Sequence, residues 1–524
     1  LDDLLASSGS NSVGYLPAGT GAVATTVQTK LRESVSVKDF GAVGDGTTDD
    51  TAAIQAALTT GNDVYVPGTS NYYKITAAVS MLSNQRLYGE GRRSQIRQAT
   101  TQLNVISASG TTDSVIDSIN IYAAGTKGAS LTTGCGVYFL NCAGPRIMNT
   151  LIQNHLGSGI NFQNCNDGQI LNNLFINSPA TNGMTNDQCG DDIRVSYSSS
   201  RNTVMGNNCQ SGNGTGIIVQ AISSGDICDD NVISNNIVTN AKAYGIVAYN
   251  IDPAFPRTIW VRRTIISNNA IKNITGTILN ATLSTYTFGA GVYVQGAEET
   301  VVSGNSIRST HSGAVTFAET LAPGAIGTTN VTRVAITGNV IDTAGMFGID
   351  VGDGNVLGET IGSGTVIGNE ITNCARAGIH VRTRGRLVIS GNSIDTTGTT
   401  STGSGIRINP AAATAYPDIL VSGNIVKNST NATANIETNY VDGITIVGNV
   451  CDTSSTHGIS VANSTNISVS GNTVKNHTSR GIQITSTSSA AIVGDNVIAG
   501  TGSSTQGITL DAYTETNSAN YISG

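Results

Sequence analysis

The sequence predicts an all-β chain wound as a right-handed, single-stranded parallel β-helix. Three observations carry that prediction. A Gly-Asn or Asn-Asn pair, flanked by aliphatic residues, recurs along the chain, with its second Asn at 173, 207, 236, 269, 305, 339, 369, 392, 424, 449, 472 and 496. Between these pairs stands a Gly-Ile-Xaa-Val segment or close variant, beginning at 136, 159, 216, 245, 291, 348, 378, 405, 458, 481 and 507, with DIRV at 192 and GAVTF at 313 filling gaps. The shortest repeats near the C-terminus are only 23 to 25 residues long.

Both signatures alternate apolar and polar residues with period two, the pattern of short half-buried strands. A unit of this length with about two strong strands and Gly/Asn turns fits one β-helix coil and is too short for a helical solenoid repeat. The Asn residues are expected to stack at one corner, tolerating left-handed backbone and bonding up and down the stack. About fifteen coils at ~4.8 Å would make a rod on the order of 70 Å long.

Composition agrees. Charged residues make up 12% and aromatics 5%, while Gly numbers 62 and Pro 9. A net charge of −8 argues against nucleic-acid binding, which calls for a basic face. No apolar run is long enough for a membrane span. The chain opens on Leu1 without a signal peptide and reads as trimmed. Its eight Cys form no CxxC pair or zinc spacing, so no metal or cofactor is expected. Cys142 and Cys165 recur in equivalent segments, which favours stacked buried thiols over a disulfide.

A solenoid leaves its first coil open and needs a cap. The segment 34–58 supplies one, with Asp45 to Asp50 as turn and helix start and Ala52 to Leu58 as a short amphipathic capping helix. The expected organisation is a neck or linker over 1–33, capping helix and first coils over 34–100, the β-helix body over 101–515 and a tail over 516–524.

The stretch KDFGAVGDGTTDDTAAIQAAL, with VYVPG and LYGEG after it, resembles the opening of pectate-lyase-like β-helices. The flanking GYLPAGTGAVATTVQTKLRESVSVKDFGA looks like the neck of bacteriophage tailspikes. The resemblance is strong over residues 10–95 and beyond that covers the β-helix pattern alone. It implies a homotrimer that joins the virion through an N-terminal head missing here, acts at the host surface, and binds and cleaves capsule or O-antigen polysaccharide. A C-terminal trimerisation domain, which the resemblance also leads one to expect, is not evident after about 515.

Coil lengths locate a candidate site. From the Gly-Ile strand to the next Asn corner, plain coils take 14 residues, but 216→236, 245→269, 313→339, 348→369 and 405→424 take 19 to 26. Five insertions at one corner would wall a groove between about 190 and 420, on a rigid scaffold suited to binding loops. In Gly-Ile-Xaa-Val the Xaa residue faces out, which yields Tyr293, Thr316, Asp350, His380 and Arg407, followed by Gln295 and Arg382. Glu319 is expected just past its strand, and Asp353 in the turn after Asp350.

Glycoside hydrolysis needs two carboxylates. Asp350, Asp353 and Glu319 resemble the Asp-x-x-Asp plus preceding-coil Glu of podovirus tailspike endorhamnosidases. That resemblance implies paired acid and base roles for Asp350 and Asp353, with Glu319 assisting. Asp353 also reads as a turn residue in GIDVGDGN, the commoner role of an acid at a Gly-rich corner. Asp229, Asp230, Asp252, Glu298, Glu299 and Glu359 are rival acids, and Glu298 and Glu299 also read as a solvated turn. Trp260, the single Trp, suits stacking on a sugar or packing against another subunit. Arg376, Arg382, Arg384 and Arg386 would bind an acidic sugar or pair with acids across subunits. Three functions stay open: an endo-glycosidase, a lyase using Tyr293, His380, Arg382 and Arg407, and a non-cleaving receptor-binding fibre.

Overall fold

The computed structural model describes residues 2–124, 132–155, 157–176, 190–210, 214–250, 260–276, 289–310, 326–329, 333–352, 363–382, 385–400, 403–409, 417–500, 506–510, 514–515 and 521–523. The coils contribute strands to three long sheets, one more than the sequence pattern indicates. The apolar stretches on either side of an Asn corner are separate strands. Val301 to Ser303, for example, pair in one sheet, while Ser306 to Thr310 pair in the next.

All three sheets are parallel. The first runs from Val35–Ser36 through Arg86–Gly89 to Thr514–Glu515 and precedes the Asn corner. The second follows that corner, starting at Tyr73–Ile75 and reaching Tyr521–Ser523. Its coil pattern therefore continues past residue 515. The third carries the Gly-Ile-Xaa-Val segments in 16 strands, from Val79–Ser80 to Gln506–Leu510. Inward residues form one continuous core of stacked Ile and Val, with Phe139 and Phe162 stacked at 5.9 Å between ring centroids.

The Asn ladder is present, with one change of register. Each ladder Asn is buried. Asn339 is typical: its Nδ2 donates to Asn369 Oδ1 at 2.9 Å and to Val302 O at 3.0 Å, and its Oδ1 accepts from Asn305 Nδ2 and backbone N at 3.0 Å. The left-handed residue is the one before it, at φ 55° in Asn172, Asn235 and Asn268 and φ 61° in Gly338. The corner therefore divides its labour. Gly or Asn turns the chain at positive φ, and the following Asn satisfies the buried amides.

Near the N-terminus, helix Thr51–Thr59 buries Ile54, Ala57 and Leu58. Its Gln55 donates through Nε2 to Ser80 O at 3.1 Å and accepts through Oε1 from Ser80 N at 2.8 Å. Ser80 belongs to the terminal strand of the third sheet, so one side-chain amide satisfies both backbone groups at an open edge. The seven described cysteines are buried in or beside the core and form no disulfide, and the thiols of Cys142 and Cys165 meet as hydrogen-bonded neighbours in adjacent coils.

Candidate functional site

The outward positions of the third sheet stack in register as Tyr138, Asn161, Arg194, Ile218, Val247, Tyr293, Gly327, Asp350, His380, Arg407, Glu437 and Ser460. Four of the predicted residues, Tyr293, Asp350, His380 and Arg407, therefore stand in one row. Gly327 occupies the place expected for Thr316. The strand that fills that coil is Ile326–Thr329, from GAIGTT, and not GAVTF. Both segments carry a small-residue start and alternation, and only the register separates them. The extra residues of this coil consequently precede its third-sheet strand, whereas those of the other four enlarged coils follow it. Thr316, Glu319 and Asp353 lie outside the described residues, as do Asp252, Glu359 and Arg384.

Although this row faces away from the core, Asp350 is only 2% exposed and His380 6%. Arg382 donates through Nη2 to Asp350 Oδ2 at 2.5 Å and through Nε to Oδ1 at 3.3 Å. His380 Nδ1 is 3.2 Å from Asp350 Oδ1, close enough for charge interaction but without hydrogen-bond alignment. Phe347 stacks on the His380 ring at 4.3 Å. Gly352 makes room for Arg382, since a Cβ there would lie 3.1 Å from Nη2.

Burial alone would raise the Asp350 pKa, but the Arg382 charge and the neighbouring His380 outweigh it and hold the carboxyl below its ordinary range. Burial lowers the His380 pKa, with Asp350 opposing and Arg382 and Arg407 reinforcing the shift. At neutral pH the pair is thus a carboxylate beside a neutral imidazole.

Arg407 Nε lies 3.6 Å from Glu437 Oε2 as an ion pair without a hydrogen bond, and Glu437 Oε2 accepts from Ser404 Oγ at 2.7 Å. Glu437 was not legible as a site residue because its segment has Asn435 where a Gly is the rule. The 25-residue interval from Asn424 to Asn449 nonetheless demands a third-sheet strand there. Glu437 stands three coils from Asp350, about 14 Å at ~4.8 Å per coil. That exceeds the ~6.5–9.5 Å of an inverting carboxylate pair, so these two do not share one glycosidic bond.

Tyr293 donates to Gln295 Oε1 at 2.5 Å and stacks on Tyr244 at 4.9 Å, two coils before Asp350. Trp260 is elsewhere, in a small parallel sheet at the enlarged corner formed by Ile227–Asp229, Trp260–Arg262 and Ala297–Glu298. Arg262 lies over its ring at 5.5 Å.

Of the rival acids, Asp229, Asp230 and Glu299 have arginine partners, as does the neighbouring Asp167. Arg201 binds Asp167 at 2.6 and 2.8 Å, Arg263 binds Asp230 at 2.6 and 2.9 Å, and Arg333 pairs with Glu299. Arg262 grips Asp229 at 2.9 and 2.7 Å. Asp167, Arg201, Asp230, Arg263, Glu299 and Arg333 occupy one position in successive coils, two residues before register-matched first-sheet residues. They form a ladder of strictly alternating sign. The motifs NDGQI, SRNTV, DDNVI, RRTII and EETVV carry this pattern in the sequence.

Residues 34–278 match the family model described as rhamnogalacturonase A/epimerase, pectate lyase-like, and residues 254–394 and 356–522 match the right handed beta helix region. The catalytic unit of a GH87 alpha-1,3-glucanase from Streptomyces thermodiastaticus strain HF3-3 is similar in structure, with TM-score 0.56 and 18% identity over 76% of this chain and 68% of that one. A double-mutant tailspike protein of E. coli bacteriophage HK620 gives TM-score 0.51 and 14% identity over 97% of this chain and 84% of that one. At these identities the likeness is one of fold. In sequence, 63 residues are 43% identical to the pre-neck appendage protein of Bacillus phage phi29, a stretch covering 12% of this chain and 7% of that relative. No described helix is long and apolar enough to cross a membrane. With the β-helix model matching just over half of its length, the chain belongs to the right-handed β-helix family.

Proposed function

We propose that this chain is the body of a phage tailspike, borne on the virion as a homotrimer, which binds a bacterial surface polysaccharide and depolymerises it by endo-glycosidic hydrolysis. Helix Thr51–Thr59 is its N-terminal cap. The reading is supported by the β-helix family, by the phage pre-neck relative and, above all, by the Asp350–His380–Arg382 cluster set on an outward row of a charge-poor rod. Ionised Asp350 fits the basic half of the reaction as the carboxylate that accepts a proton, with the neutral His380 ring beside it. The acid falls to Asp353, three residues further along the sequence, with Glu319 assisting. Tyr293, Gln295, Arg382, Arg407 and Trp260 are the proposed sugar-binding residues.

A second reading has one observation in its favour. A neutral imidazole beside Arg382 and Arg407 pairs a base with cations able to neutralise a uronate, which is the requirement of β-elimination. Incubation with a panel of capsules and O-antigens, followed by size-exclusion chromatography, tests both. New reducing ends without unsaturation support hydrolysis, ultraviolet-absorbing unsaturated ends support elimination, and retained binding with unchanged chain length overturns the enzymatic reading.

A further inference from the structure

A cavity of about 510 Å³ lies at the first coils, well away from the cluster just described. Lys74, Arg97 and Tyr122 are register partners on the outward row of the second sheet, and all three line the cavity together with Tyr72, Thr47, Thr101 and Asn154. The Arg97 guanidinium is held between two aromatic rings, 4.9 Å from the centroid of Tyr72 and 4.2 Å from that of Tyr122. Arg86, Arg201 and Arg263 each pair with a carboxylate. Among the described residues Arg97 has no such partner and no acidic residue lines the cavity. Lys74 Nζ donates to Thr47 O at 3.2 Å. The nearby Asp49 accepts from Thr51 and Thr76 and feels the Lys74 charge, but it does not line the cavity. Two cations with no lining carboxylate are unusual in a chain of net charge −8.

We infer that this cavity is a second carbohydrate site, specific for a sugar residue bearing a carboxylate. Stacking fixes the guanidinium plane. A planar fork of N–H donors matches a carboxylate in two parallel bonds, and Lys74 adds a second positive charge. The volume falls in the ~300–1,000 Å³ range of small-ligand pockets. Seven coils separate the strands that follow Tyr122 and precede Asp350, about 34 Å at ~4.8 Å per coil. The cavity therefore holds a different stretch of glycan from the one being cleaved and would keep the polymer attached between cleavage events. The choice of ligand rests on the polysaccharide reading above.

The test uses the whole chain with sodium glucuronate, glucose and inorganic phosphate as probes in saturation-transfer NMR titrations. Saturable glucuronate binding is expected, with glucose and phosphate far weaker. Arg97→Gln should weaken it by roughly tenfold or more, since it removes charge-assisted bonds, and Lys74→Gln should weaken it less. Thermal melting checks that each variant is folded. Should Arg97→Gln unfold, Lys74→Gln decides. Asp350→Asn should bind glucuronate normally, so loss of cleavage leaves this inference standing. Absence of saturable binding, equal binding of phosphate or glucose, or unchanged affinity in both folded variants would overturn it.

Discussion

Arg382 Nη2 meets Asp350 Oδ2 at 2.5 Å on the outer side of the third sheet, with the carboxylate 2% and the guanidinium side chain 13% exposed. A desolvated pair on an outward face is a costly arrangement for stability alone. Replacing Asp350 by Asn removes the charge and leaves Arg382 uncompensated. Cleavage of the host polysaccharide should fall by roughly 100-fold or more, and stability by ~3–5 kcal/mol. The circular dichroism of the rod should persist at room temperature. A fully active Asp350→Asn variant would remove Asp350 from the mechanism.

The pKa of His380 is depressed below 6.5 and that of Asp350 below 3.8. The unfolded chain therefore takes up each proton at a higher pH than the folded one does. Both contributions to stability are complete above about pH 6.5. The His380 part is lost first as pH falls from 6.5 through its folded value, and the Asp350 part as pH falls below 3.8 through its own. In His380→Gln the early part of this decline should flatten in a series of melting temperatures. Identical slopes in the two proteins would show that His380 is not the titrating group.

Gly338 has φ 61° with nothing near the position a Cβ would take. Strain alone, not crowding, governs substitution there. Asn, which occupies the equivalent corner at 172, 235 and 268, should be tolerated within about 0.5 kcal/mol, whereas Val should cost about 1–2 kcal/mol or more. Urea denaturation of Gly338→Asn and Gly338→Val checks the difference.

Arg201 and Asp167 are each more than half exposed. Arg201→Ala should therefore cost less than about 1 kcal/mol, and high salt should erase the difference from the parent protein. A large, salt-resistant loss would mean that the charged ladder carries more of the fold than its exposure allows.

Much of this architecture was legible because a solenoid repeats its own evidence. The spacing of twelve Asn residues sets the register, and the structure stacks all of them. Tyr293, Asp350, His380 and Arg407 followed from alternation within that register, since period two decides which face a residue takes. Gly327 and Glu437 did not. GAVTF and GAIGTT are equally plausible strands in isolation, and the Asn at 435 hides a coil that spacing alone would reveal. The burial of Asp350 was likewise invisible, because alternation reports direction relative to the core and not what lies over the outer face.

The two ladders respond differently to a change in coil number. Every Asn corner presents the same donor and acceptor to its neighbours, so excision of a whole coil would leave an equivalent Asn in place to close the gap. The charged ladder has a repeat of two coils. Excising the one that carries Asp230 would set Arg201 against Arg263, whereas removing two adjacent coils restores opposite signs. Between Asp167 and Arg333 the rod thus carries a parity check, and this stretch could be lengthened or shortened without electrostatic conflict only in even steps.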